Sequence, residues 1–209
     1  MTEQNFLDLI PNQNIDQIHN YGIDIDNREL YLHSFISNDD NDPGIDFRMT
    51  CYFIKNMRIL NSIDKKTITV HMHSIGGNWN DGMAIYDTIK LSKSPVNIVV
   101  YGQAESMSSV VLQSGKRRFM MPNSYFMCHY GSFSFSANLL DVQNAVTQER
   151  KFANRMIDIY ANRAKYGKYF SNKSINHIKN YIKRKMKDGD WYLDPQETID
   201  HGFADEILK

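Results

Sequence analysis

Cysteine is nearly missing from this 209-residue chain: there are two, Cys51 and Cys128. Two are too few for a disulfide framework, which points to a chain kept reduced in the cytoplasm. Neither sign of charge is in surplus, because 24 Lys and Arg residues balance 24 Asp and Glu residues. That balance argues against a nucleic-acid binder driven by phosphate contacts. No run approaches the ~20 apolar residues of a membrane span. The opening MTEQNFLDLIPNQN lacks the basic-then-apolar order of a signal peptide. No low-complexity linker or internal repeat divides the chain, so residues 1–209 are expected to form one domain. No metal or cofactor is expected: His71 and His73 share a strand face, but no third ligand stands near them in sequence, so both are expected to be structural.

Apolar residues make up 42% of the chain, enough for a sizeable core. Residues 1–20 read as an irregular arm. Glu29–His33 reads as a strand, and 37–44 as a loop of turn formers. Met49, Phe53, Met57 and Leu60 repeat at helical spacing. From Thr67 to His73 the chain alternates, with Ile68, Val70 and Met72 on one face. Gly76-Gly77 then make a turn. A helix follows, capped by Asn80 or Asp81 and ending before Pro95. Val96–Tyr101 is an apolar strand buried on both faces, closed by a turn at Gly102. A short helix starts near Ser106, and two short strands flank Pro122-Asn123. A long amphipathic helix runs from Asn138 to Lys165, and another over 172–186. Asp194-Pro-Gln-Glu197 announces a last helix with a capping box. Strands alternating with helices predict an α/β fold.

Four segments carry residues suited to chemistry. Ser106 sits where a buried strand meets a helix. A helix start supplies free N–H groups, so a serine there can act as a nucleophile while the Met107 N–H holds an oxyanion. Taken alone, a helix cap is the plainer reading of Ser106. Gly76 and Gly77 let backbone approach a ligand closely, or make an ordinary turn. His129, at the end of an apolar strand, has the pKa range of a base, although a single histidine more often satisfies a core hydrogen bond. Asp190 can orient such a base or be a solvated loop acid.

Together these segments resemble the Clp protease proteolytic subunit (ClpP) family, in the order Ser, His, Asp. Ser74-Ile75-Gly76-Gly77 and Gly82-Met-Ala-Ile-Tyr-Asp87 are similar to its glycine segment and the helix after it. Gly102-Gln-Ala-Glu-Ser-Met107 resembles the nucleophile turn, and Pro122-Asn-Ser124 with Met127-Cys-His129 the base segment. Asp190-Trp-Tyr-Leu with Glu197, Gly202 and Asp205 resembles the family ending. The likeness runs from about Thr67 to Lys209.

The resemblance implies a ClpP/crotonase-like α/β fold of repeated β-β-α units with a protruding handle region at about 138–187. It implies a serine endopeptidase with Ser106 as nucleophile, His129 as base and Asp190 as orienting acid. The amides of Gly76 or Gly77 and Met107 would form the oxyanion hole. Tyr130, Gly131, Ser132 and Phe133 would begin the strand along which substrate adds. It further implies heptameric rings, two of them stacked, fed with unfolded polypeptide by an AAA+ unfoldase.

Departures from the family pattern bear on the site. Ile75 replaces a proline, which predicts a less rigid glycine turn. Glu105 replaces a small residue and Ser108 a glycine. Asp190 follows His129 by 61 residues (190 − 129), longer than usual; the extra length is assigned to 166–187, and Asp188 and Asp194 stay rivals for the third role. A non-catalytic ring subunit and an acyl-CoA hydratase or isomerase using Glu105 are the alternative functions.

Overall fold

The computed structural model describes residues 12–33 and 44–209. The arm expected to be irregular is helical in its described part, α1 (Asn12–Tyr21). Nearly all of the expected 37–44 loop lies outside the described residues. Strands β1 (Ile23–Asp24) and β2 (Glu29–His33) pair antiparallel.

Helix α2 (Phe47–Ile63) opens on Asp46, whose carboxylate accepts the Met49 N–H. It buries Met49, Phe53, Met57 and Leu60, the residues whose spacing predicts it. Strand β3 (Ile68–Ser74) lies parallel to β2 and buries Ile68, Val70 and Met72. Helix α3 (Trp79–Lys90) starts slightly earlier than expected. Its cap is Asn78, whose side chain accepts from the amides of Asn80 and Asp81. Those two residues occupy the first turn instead of preceding it.

Strand β4 (Val96–Glu105) does not turn at Gly102. It continues through a bulge there: Gly102 has φ +61°, and the register with β3 shifts between Met72 and Ser74. A Cβ on Gly102 would stand 2.6 Å from the His73 ring, so any side chain there must displace that ring as well as adopt a positive φ. The bulge divides the partners of β4. Its first half pairs parallel with β5 (Arg117–Met120), and its second half, Gln103–Glu105, with β6 (Tyr125–Cys128). Strand β7 (Trp191–Leu193) runs antiparallel to β6, and β8 (Glu206–Ile207) lies parallel to β5. The eight strands among the described residues belong to one sheet.

Helix α4 (Ser106–Leu112) follows β4 without a loop. Helix α5 (Leu139–Ala164) is capped by Asn138. Its second half is buried through Met156, Ile157, Tyr160, Ala161 and Ala164. Its first half stands clear of the body, with Leu139 and Leu140 72% and 69% exposed. This is the protruding helix the sequence predicts. A 3-10 turn (Lys168–Phe170) and α6 (Ile175–Lys187) follow, and α6 starts at Ser174 rather than Asn172. Asp194 and Glu197 close the expected capping box on α7 (Pro195–Asp200). Residues Tyr130–Ser136 form no strand.

Candidate active site

The nucleophile candidate stands at a strained corner. Ser106 has φ +49°, a conformation that costs a non-glycine residue of order 1–3 kcal/mol. It is not the helix cap. Glu105 holds that position and makes no side-chain cap bond. The hydroxyl of Ser106 instead lies 2.8 Å from His129 Nε2. His129 Nδ1 lies 3.0 Å from Asp190 Oδ1. A carboxylate only accepts, so Nδ1–H donates to Asp190. That tautomer leaves Nε2 free to accept from Ser106 O–H.

Sheet geometry explains how residues 61 apart in sequence meet. Cys128 faces Trp191 in the β6–β7 ladder. One step beyond it, His129 faces Asp190. The rival acids stand elsewhere: Asp188 is the C-cap of α6, where its backbone N–H donates to Arg184 C=O, and the Asp194 carboxylate accepts the Glu197 N–H. Full burial pushes the thiol of Cys128, next to His129, well above the ordinary range, which disfavours the thiolate that a nucleophile needs.

The glycine turn reaches this corner from β3. Gly76 and Gly77 have φ +97° and +145°. A Cβ on Gly76 would lie 2.6 Å from Ser106 Cβ and 2.8 Å from Met107 N, so glycine alone permits the approach. The Gly76 N–H donates to Ser74 Oγ at 3.2 Å. Among the described residues, the Gly77 N–H and the first-turn amide of Met107 donate no side-chain or turn bond and are the candidate oxyanion donors. The proline that Ile75 replaces is offset by backbone pairing. Ile45 N–H donates to Gly76 C=O at 2.5 Å, and Asn78 N–H to Ile45 C=O at 2.8 Å. Residues before the glycine segment therefore brace it.

The two other departures have partners. Ser108 is fully buried, and its hydroxyl lies 2.8 Å from Ser74 C=O and 2.6 Å from Glu105 C=O. It joins the end of β3 to the nucleophile corner, which a glycine cannot do. The Glu105 carboxylate accepts from Tyr125 O–H at 2.5 Å. That bond, then burial, pushes the Tyr125 phenol up to about 12. His71 and His73 are engaged with Tyr101, through its hydroxyl at 3.1 Å and its carbonyl at 2.7 Å.

A cavity of about 300 Å3 opens beside Ser106 and His129. Tyr130, Gly131, Ser132 and Phe133, the predicted substrate residues, form one wall. Trp79 from α3 and Phe152 and Met156 from α5 form the other. Sequence reasoning missed this second wall. The helical spacing of α5 was legible, but not which of its faces meets the nucleophile.

Comparison with known proteins follows the same lines. A family model described as Clp protease matches residues 42–209. A Deinococcus radiodurans protein named ATP-dependent Clp protease proteolytic subunit is 28% identical over 167 residues, covering 78% of this chain and 76% of its own. A protein of the same name from Lactococcus lactis subsp. lactis is 31% identical over 148 residues, covering 69% of this chain and 68% of its own. The solved structure of a mutant ClpP1 from Listeria monocytogenes shares the fold, with TM-score 0.71 and 22% identity over 88% of this chain and 93% of that one.

Proposed function

This chain belongs to the Clp protease family, and from that premise we propose that it is a proteolytic subunit cutting peptide bonds by serine catalysis. The observation that carries the reading is the hydrogen-bonded line from Asp190 through His129 to Ser106, at 3.0 and 2.8 Å. Ser106 Oγ attacks the peptide carbonyl carbon, and His129 Nε2 takes its proton. The C–N bond breaks as His129 returns that proton to the leaving amine. Water then repeats the sequence and releases the acyl group. Asp190 holds the imidazole in the required tautomer. The Gly77 and Met107 amides receive the oxyanion, with Gly76 permitting the close approach. Tyr130–Phe133 offer backbone to an extended substrate, which adds edge-on.

We also propose the assembly. Heptameric rings, two of them stacked, enclose the sites, and a AAA+ unfoldase supplies ATP-driven delivery of unfolded polypeptide. The exposed Leu139 and Leu140 on the protruding half of α5 support a contact between rings. Among the described residues no helix is long and apolar enough to cross a membrane; the location we propose is the cytoplasm.

The test compares wild type with Ser106→Ala on a short fluorogenic peptide, with mass photometry on both. Cleavage should fall about a million-fold in the variant, while particle mass stays that of rings. Intact wild-type rings that neither cleave peptide nor take up a serine-directed fluorophosphonate probe would favour a structural subunit.

A further inference from the structure

The cavity beside Ser106 carries one acid in its wall. Glu149, Phe152, Ala153 and Met156 all line it. Their spacing of three, four and seven puts them on one face of α5. The Trp79 ring stacks on Phe152, centroids 5.2 Å apart and planes at 27°. Met107 and Val110 add apolar surface from α4. Met156 is buried and Glu149 half-buried. The apolar part is therefore the deep part, and Glu149 sits seven residues, about 10 Å of helix rise, from Met156 at the less buried end. Two other charges on α5 are paired away from the cavity: Asp158 with Lys179 at 2.7 Å, and Arg155 with Asp87 at 4.0 Å. Glu149 takes part in no ion pair among the described residues.

We propose that this cavity selects a substrate side chain with an apolar stem and a cationic tip, lysine or arginine, at the residue whose carbonyl Ser106 attacks. The inference rests on the peptidase reading of the site. An extended chain lying along Tyr130–Phe133 with its carbonyl at Ser106 projects that side chain into the cavity. Its methylenes pack on Met107, Val110 and Met156. Its charge meets the Trp79 and Phe152 rings, whose faces attract cations, and the Glu149 carboxylate, which accepts a charge-assisted hydrogen bond. A purely apolar side chain fills the same space but strips water from Glu149 and gives it no partner. An acidic side chain is repelled.

The experiment uses the assembled full chain and three fluorogenic peptides differing only at that residue: lysine, norleucine or glutamate. Wild type should cut the lysine peptide with roughly tenfold higher kcat/KM than norleucine, the factor expected of one charge-assisted hydrogen bond. That preference should shrink as salt rises. Glu149→Gln should bring the lysine-to-norleucine ratio close to one, and Glu149→Lys should turn the preference toward glutamate. The ratio within each variant cancels any loss of assembly. Wild type cutting norleucine as well as lysine, with no salt dependence, overturns the inference and leaves the peptidase reading standing. No cleavage of any peptide, by wild type and Ser106→Ala alike, overturns both.

Discussion

At the residue scale, the third member of the site is the sharpest question. Three acids, Asp188, Asp190 and Asp194, crowd the same stretch, and only Asp190 meets His129. Its side chain is 51% exposed, so its bond to His129 adds little to stability. Its proposed work is orientation. Asp190→Asn should therefore leave melting nearly unchanged and lower kcat by about 10^3- to 10^4-fold, because an amide no longer fixes the Nδ1–H tautomer. Asp188→Ala should keep most activity. The reverse pattern, in which Asp188→Ala is dead and Asp190→Asn active, would overturn the assignment. Glu105 is the acid that a hydratase reading needs, and its carboxylate is engaged by Tyr125.

At the element scale, the active corner is held by three chain segments that are far apart in sequence. The end of β3, the strand-to-helix corner at Ser106 and the base of α5 meet through hydroxyls. Ser108 Oγ joins the corner to β3. Ser109 Oγ reaches Ser106 C=O at 2.6 Å and the buried Tyr160 hydroxyl of α5 at 2.7 Å. Ser108→Ala removes a fully buried donor shared by two carbonyls. It should lower unfolding free energy by about 1 kcal/mol, the net value of such a bond, read as a shift of the urea midpoint at constant slope. An unshifted midpoint would mean that the corner does not need this staple. The segment given the extra length, 166–187, is equally integrated: α6 buries Ile178, Ile182 and Met186.

At the scale of the whole molecule, the sheet's far edge is fixed by one buried guanidinium. Arg118 meets Asp205 through both carboxylate oxygens, at 3.0 and 2.5 Å, and also reaches Gln113 and the Gly202 carbonyl. Burial alone would raise the Asp205 carboxyl. The hydrogen bonds and charge of Arg118 outweigh it and hold the group below its usual range. A depressed folded pKa means stability that is present above the ordinary carboxylate range and lost as pH falls through the folded value. Asp205→Asn should thus cost about 2–3 kcal/mol at neutral pH, the low side for breaking a buried pair because Asp205 is partly exposed. The gap from wild type should close in acid. Urea melts from pH 7 down to pH 2 check this; a gap as wide at pH 2 as at pH 7 would show that the charge of Asp205 is not what stabilises the fold.

The sequence by itself determined what depends on neighbours along the chain. The α2 stripe, the β3 alternation, the capping box at Asp194 and the glycines at 76 and 77 are legible because helix and strand periods and backbone sterics act over a few residues. It also held the chemically suited side chains Ser106, His129 and Asp190. The tertiary structure decided what depends on pairing between distant segments. The β6–β7 register chose Asp190 over its neighbours. The continuation of β4 past Gly102 was hidden because a bulge looks like a turn until its partner strand is seen. The bracing of Gly76 by Ile45 and the facing of Glu149 into the cavity were equally hidden. Such contacts are fixed by the packing of the whole core, in which each segment's place depends on all the others, and no local period records them.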